Sequence, residues 1–178
     1  PPRILVNCAG ISGGGVRVAG PKGPHSLDMF KKLISVNLTG TFNVMRLAAQ
    51  EMQDLEPLAG GERGVIVNTS SVNGADGPIG TAAYSAAKAG VLGLTLPAAR
   101  DLARAGIRVC GILPGNFETP MLMNSPPELL ERLIEMTPFP KRFGDPKDFA
   151  QLVRHIVENS MLNGENIRLD AAIRLAVT

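Results

Sequence analysis

VIVNTSS, residues 65–71, is the stretch on which the fold turns. Three β-branched apolar residues in succession suit a strand buried on both faces, and Asn-Thr-Ser-Ser closes it with side chains that can hydrogen-bond. A polar turn region follows, NGADGPIG (73–80). The next segment, from about Thr81 to Ala105, has helical character. Pro97 is expected to bend this helix, because it removes one backbone donor, and Gly106 is a suitable stop. IRVCGIL (107–113) is then a second apolar run, ended by Pro114-Gly115. A strand, a helix of more than a dozen residues and another strand make a parallel β-α-β unit.

The same alternation extends to both sides. Upstream, ILVNCA (4–9) is an apolar strand closed by Gly10, and SGGGVRVAGPKGP (12–24) is a loop. Ser26 can cap a helix opening LDMFKKL, and helical character continues past Asn37 to about Leu55. Downstream, a Met- and Pro-rich segment (116–142) holds a short helix near 127–136. A helix from Pro146 to Glu158 follows, then an Asn163-Gly164 turn and the strand NIRLD (166–170). Strands alternating with helices predict a three-layer α/β domain with a parallel sheet. Ligands in such sheets sit beyond the carboxyl ends of the strands, where this chain places Asn7, Cys8, Ala9 and Gly10, Thr69-Ser70-Ser71, and Pro114-Gly115.

Composition narrows the class. The chain has 178 residues, 44% hydrophobic and 19% charged, which suits one domain with a real core. A net charge of +2 gives no bulk attraction to nucleic acid or an anionic membrane. No apolar run reaches about 18 residues, so no membrane span is expected. Cys8 and Cys110 sit in separate apolar runs and are read as free thiols of a reducing compartment. His25 and His155 lie near no other plausible ligand, so no metal site is expected.

The chemistry concentrates in AAYSAAKAG (82–90). Tyr84 is the chain's one tyrosine, and Lys88 follows four residues later on the same helical face. A nearby ammonium favours a phenolate, so Lys88 is expected to lower the tyrosine pKa and make it an acid/base at neutral pH. Ser71, thirteen residues earlier at a strand end, can come beside Tyr84 and hold a carbonyl oxygen. Small residues at 82, 83, 86 and 87 leave room for a flat ligand. Taken alone, the short pattern Y-x-x-x-K is better explained by an ordinary helix surface; the strand-end serine and the other strand-end motifs reverse that balance.

The motifs VNCAG (6–10), VN (36–37), VNTSS (67–71), YSAAK (84–88) and PGNFET (114–119) together resemble the short-chain dehydrogenase/reductase family along the whole chain. GERGVIVNTSSV, GLTLPAARDLA and NGENIRLD are similar to the type II 3-hydroxyacyl-CoA dehydrogenase subgroup. The resemblance implies the carboxyl-terminal part of a Rossmann-type fold, strands four to seven, as a single domain over 1–178. It makes Tyr84 the acid/base and Ser71 the group that positions the substrate oxygen. Lys88 would hold the nicotinamide ribose, and Asn37 a water in a proton relay at a helix irregularity. Asn7, Cys8, Ala9 and Gly10 would line the cofactor site, with Tyr84, Lys88, Pro114, Gly115, Phe117 and Thr119 completing it. Taken singly, Asn37 reads as a cap or kink residue and Thr119 as a turn residue before Pro120.

The implied cofactor is NAD, with NADP left open because the residue that sets the choice lies outside this sequence. The implied reaction interconverts a secondary alcohol and a ketone, foremost 3-hydroxyacyl-CoA and 3-ketoacyl-CoA. Acyl-carrier-protein thioesters and steroids or other carbonyls are alternatives. Residues 116–142 would form a substrate lid, made apolar by Met121, Leu122, Met123, Leu129, Leu130, Leu133 and Ile134. An apolar cover packed on the core or a neighbouring subunit would have the same composition. Lys141 and Arg142 could meet coenzyme A phosphates, or be solvated charges. The family also implies a homodimer or homotetramer, through helices 38–56 and 81–105, in the cytoplasm or the matrix of a mitochondrion.

Two departures stand out. The family's opening strand, Gly-rich turn and helix, which carry the cofactor pyrophosphate, have no counterpart here, and SGGG (12–15) lacks the spacing to replace them. The chain is therefore expected to be part of a longer protein, with strand 4–9 flanked on both sides. If it acts as a bare fragment, it should bind NAD negligibly, and a non-catalytic scaffold becomes the alternative. Ala171 also stands where many members have Gly after the aspartate, so either a negative φ or strain is expected there.

Overall fold

The chain's structure, a computed structural model, describes residues 1–175. Its strands are β1 (Ile4–Asn7), β2 (Ala19–Gly20), β3 (Gly23–Pro24), β4 (Gly64–Thr69), β5 (Ile107–Pro114) and β6 (Asn166–Leu169). Its helices are α1 (Leu27–Ile34), α2 (Thr41–Gln53), α3 (Asn73–Asp76), α4 (Ala82–Leu102), α5 (Pro120–Met123), α6 (Pro127–Met136) and α7 (Pro146–Glu158). A π-helical turn, Ser35–Gly40, joins α1 to α2, and a 3₁₀ turn, Ala103–Ala105, ends α4.

Strands β1, β4, β5 and β6 form one parallel sheet in that order. Residues alternate between its faces, so adjacent positions go to different cores. Ile66, Ile107 and Val109 pack with Met45, Ala49 and Met52 of α2 and Ala99 of α4. Val65, Val67, Cys110 and Ile112 pack with Ile156 of α7 on the other face. Two covered faces explain why these strands read as unbroken apolar runs, and they make the predicted three layers. Among the described residues β1 pairs with β4 alone, and Ile4 is 49% exposed.

Local signals act as the sequence suggests. The Ser26 hydroxyl accepts from the Met29 amide at the start of α1. Asp145 and Asp148 form a capping box at the start of α7. Gly106 stops the helix with φ 68°, and Pro97 lies inside α4. The Asn163-Gly164 turn is pinned by the Val109 amide, which donates to Asn163 Oδ1.

Other details depart from the sequence reading. The loop 12–24 contains the two-stranded β2–β3 hairpin, and the polar turn 73–80 opens with α3. The first strand ends at Asn7, short of Ala9. Of the two expectations at Ala171, a negative φ or strain, the structure has the strain: Ala171 and Ala172 both adopt left-handed backbone, at φ 51° and 62°. Each costs roughly 1–2 kcal/mol in a non-glycine residue, so the turn must be held by its neighbours.

Candidate active site

Parallel strands put all their carboxyl ends on one side, and the sequence-predicted residues gather there. The end of β4 is stitched to α4 by three consecutive residues. The Thr69 carbonyl accepts from Lys88 Nζ at 2.9 Å, and the Ser70 hydroxyl donates to the Lys88 carbonyl at 2.8 Å. Ser71 Oγ accepts from the Asn73 amide at 3.2 Å and reaches the Tyr84 phenol, whose pKa it holds down by hydrogen bonding. Lys88 Nζ lies 5.8 Å from the centre of the Tyr84 ring. Ser70, noted in the sequence only as part of the strand end Thr69-Ser70-Ser71, thereby fixes the helix that carries both residues.

Asn37 is fully buried on the π-helical turn, the irregularity expected at that point. Its Oδ1 accepts from the Ile11 amide at 2.9 Å and its Nδ2 donates to the Ile11 carbonyl at 3.0 Å. The side chain thus holds the loop after β1 in a two-point clamp. Thr41 Oγ1 donates to the Asn37 carbonyl at 2.8 Å. Gly10 is confined by the same group: a Cβ there would lie 2.9 Å from Asn37 Oδ1 and 3.5 Å from Lys88 Nζ. Gly10, Asn37 and Lys88 therefore form one cluster, joined to Ser71 and Tyr84 through Lys88.

The electrostatics differ from expectation. Burial pushes the Tyr84 phenol up from its ordinary value, and the Ser71 hydrogen bond opposes only part of that rise. The anticipated lowering by Lys88 is not what the structure shows. Burial drives the ammonium itself down to about 8, with nearby Cys8 opposing the shift. A desolvated ammonium loses charge more readily than it tunes a neighbour that is also desolvated.

The remaining predicted residues divide. Cys8 and Ala9 are exposed beyond β1, and Thr69 Oγ1 approaches Cys8 Sγ at 3.8 Å. Asn7 spends its amide on Asn68 Oδ1 at 2.8 Å. The Pro114 carbonyl accepts from the Val72 amide, and the Gly115 amide donates to the Leu169 carbonyl. Gly115 has no room for a side chain, since a Cβ would come within 2.9 Å of Asp170. The Phe117 ring packs edge-on against Phe149 of α7 at 6.5 Å. Thr119 precedes Pro120 as the cap residue of α5. Both thiols are free, Cys8 exposed and Cys110 buried.

The segment 116–142 carries α5 and α6, with Met121, Met123 and Leu129 exposed. Between α6 and the turn before α4 lies a groove of about 160 Å³, lined by Pro78, Ile79, Leu129, Arg132, Leu133, Met136 and Leu175. A larger cavity, about 350 Å³, lies among Asn116, Thr137, Arg142 and Asp170 and contains none of Ser71, Tyr84 or Lys88. The smaller groove contains none of the three either. Arg142 is tied to Asp148 and the Phe143 carbonyl, and Lys141 donates to the Glu135 carbonyl.

A parallel α/β sheet covered on both faces, with a serine, a tyrosine and a buried lysine gathered at its carboxyl end, defines a Rossmann-type chain. The chain belongs to the short chain dehydrogenase family, whose model matches residues 3–129. It is 53% identical over 173 residues to 3-hydroxyacyl-CoA dehydrogenase type-2 of Homo sapiens, covering 97% of this chain and 66% of that protein. The crystal structure of 3-hydroxyacyl-CoA dehydrogenase type-2 from Mycobacterium avium superposes with a TM-score of 0.94 at 44% identity, over 99% of this chain and 69% of that one. A 3-oxoacyl-[acyl-carrier protein] reductase with bound NAD from Brucella melitensis gives 0.81 at 31% identity, over 98% and 63%.

Proposed function

We propose that this chain supplies the catalytic half of an NAD-dependent oxidoreductase that interconverts a 3-hydroxyacyl-CoA and a 3-ketoacyl-CoA. The observation that carries the reading is the meeting of Ser71 and Tyr84 across β4 and α4, with buried Lys88 beside them. The residues fit a nicotinamide cofactor. Gly10 leaves bare backbone next to Lys88 Nζ, where any side chain would intrude, and Cys8 and Ala9 leave the end of β1 open. Lys88 and the backbone of Asn7 to Gly10 would hold the ribose, and Pro114, Gly115, Phe117 and Thr119 would border the nicotinamide. When bound, the cofactor supplies or accepts the hydride.

The chain's own residues handle the oxygen and its proton. The Ser71 hydroxyl donates to the substrate oxygen and fixes the carbonyl carbon. Tyr84 stands beside it as the proton carrier. Its phenol, raised further by burial, is protonated at neutral pH and so carries the proton that the forming alkoxide takes in the reducing direction. The Asn37 clamp on Ile11 orients the loop that faces Lys88, and its backbone at the π turn is the place for a relay water.

Fatty-acyl substrates suit the apolar groove under α6. Exposed Phe42, Leu47 and Leu96 on α2 and α4 support a homo-oligomer built on those helices. The free thiols suit a reducing compartment. The 3-oxoacyl-[acyl-carrier protein] reductase likeness favours carrier-protein thioesters as the second reading. Following reduced nicotinamide with acetoacetyl-CoA and with a carrier-protein thioester separates the two. A Y84F variant should lose about 10²–10⁴-fold in kcat while keeping its NAD affinity. Normal turnover by Y84F would refute the assignment.

A further inference from the structure

We propose that Ser70 and Gly74 are positioning residues for the reaction: they seat α4 on the end of β4 at the Lys88–Ala89 peptide and so set the spacing of Tyr84 from Ser71. The proposal rests on the reading of Ser71 and Tyr84 as the pair that handles the oxygen and its proton, and it adds two residues to which that reading gives no part.

The two reacting groups come from different elements. Ser71 follows the end of β4, and Tyr84 lies in the first turn of α4. The chain between them does little to fix their spacing. It passes through Gly77 and Gly80, both in left-handed backbone at φ 63° and 81°, and Thr81 caps α4 without a side-chain bond. Ala83 and Ala87 are buried on this helix. Apolar contact is non-directional, so these methyl groups bring the helix close without fixing its place along its axis.

Ser70 supplies a directional hold. Its amide donates to the Ile112 carbonyl at 2.8 Å, which ties its backbone to β5. Its buried hydroxyl donates to the Lys88 carbonyl at 2.8 Å. A carbonyl inside a helix keeps a lone pair beside its helical bond, so this contact adds a fixed point and removes none. Gly74 meets the same peptide from α3. A Cβ there would lie 2.9 Å from the Ala89 nitrogen and the Lys88 carbonyl carbon, and 3.2 Å from the Lys88 oxygen. All three are backbone atoms that cannot swing aside, so the approach requires glycine. The Gly74 amide donates to the Ser71 carbonyl at 3.0 Å, and the Asn73 amide to Ser71 Oγ at 3.2 Å. The turn that seats the helix therefore also orients the serine. Tyr84 stands one helical turn before the gripped peptide. Shifting α4 by about 1 Å changes the reach between Ser71 Oγ and the phenol, and a misplacement of that size can cost about 10²-fold in rate.

The experiment uses the full protein, with acetoacetyl-CoA and reduced nicotinamide cofactor. S70A removes the hydroxyl but leaves the residue 70 amide and the helical bond of the Lys88 carbonyl in place, so it is expected to fold, which urea titration checks. It should lower kcat by about 10- to 100-fold and change KM by less than about threefold. S70T keeps the hydroxyl and should recover kcat to within about threefold of the wild type. G74A forces a methyl group against the Lys88–Ala89 peptide and should lower kcat at least as far as S70A. Tyrosine labelled with carbon-13 in the ring gives a readout without turnover. The signal lost in Y84F is that of Tyr84; it should shift in S70A and G74A and return in S70T. With Y84F inactive, wild-type kcat in S70A, or equal losses in S70A and S70T, would overturn the proposal. A Tyr84 signal that does not move in S70A would overturn it whatever the turnover. A signal that moves in S70A and returns in S70T, while Y84F turns over normally, would uphold the seat of α4 and reject Tyr84 as the proton carrier.

Discussion

Asn37→Ala tests whether the π-helical turn holds the site together. The side chain is fully buried and makes two hydrogen bonds, both to the backbone of Ile11. A net contribution of about 0.5–1.5 kcal/mol for each bond gives roughly 1–3 kcal/mol. Alanine also leaves a small void and strands two backbone groups, one donor and one acceptor. Ile11 is half-buried, so water recovers part of the loss. The expected destabilisation is about 2–4 kcal/mol, a large share of the roughly 5–15 kcal/mol that holds a typical domain. Urea titration measures it, with an unchanged slope showing that the denatured state is not the cause. The loop from Gly10 to Gly15 should loosen, and the Ile11 amide should exchange with solvent much faster. A loss below about 0.5 kcal/mol, or unaltered exchange at Ile11, would refute the clamp.

Two further outcomes follow from buried cations. Burial lowers Lys88 from 10.5 to about 8, so the folded chain binds fewer protons than the unfolded one between those values, and stability should rise with pH there. The penalty is fully present below pH 8 and relieved by about pH 10.5, a gain of about 3 kcal/mol, and K88M should flatten the rise. Denaturant unfolding at stepped pH measures it, and a falling or flat wild-type profile would reject the shift. Arg108 is 7% exposed and donates to the carbonyls of Ile156, Val157, Asn159 and Leu162 while pairing with Glu62 at 2.7 Å. R108A should cost about 3–5 kcal/mol by thermal or urea unfolding, because it leaves the Glu62 charge and several carbonyls without their partner; a loss under about 1 kcal/mol would contradict this role.

The sequence by itself determined the layers. The runs read at 4–9, 65–71 and 107–113, separated by helices, admit little besides a parallel sheet covered on both faces. The bounds of α6 and α7 were legible because proline starts each one. Ser71, Tyr84 and Lys88 were legible as well, since strand-end position and i,i+4 spacing are local properties. The short elements β2, β3, α3 and α5 were not, because two to four residues carry too little periodicity to register.

Only the tertiary structure decided how the site is held and tuned. Ser70 bonding Lys88, Asn37 clamping Ile11 and Asp76 gripping Arg168 join residues 18, 26 and 92 positions apart. No local pattern encodes such pairs. The direction of the Tyr84 and Lys88 shifts likewise depended on burial, which is the sum of every element packed around them. Spacing puts a lysine beside a tyrosine, and desolvation decides the direction in which each one's pKa moves.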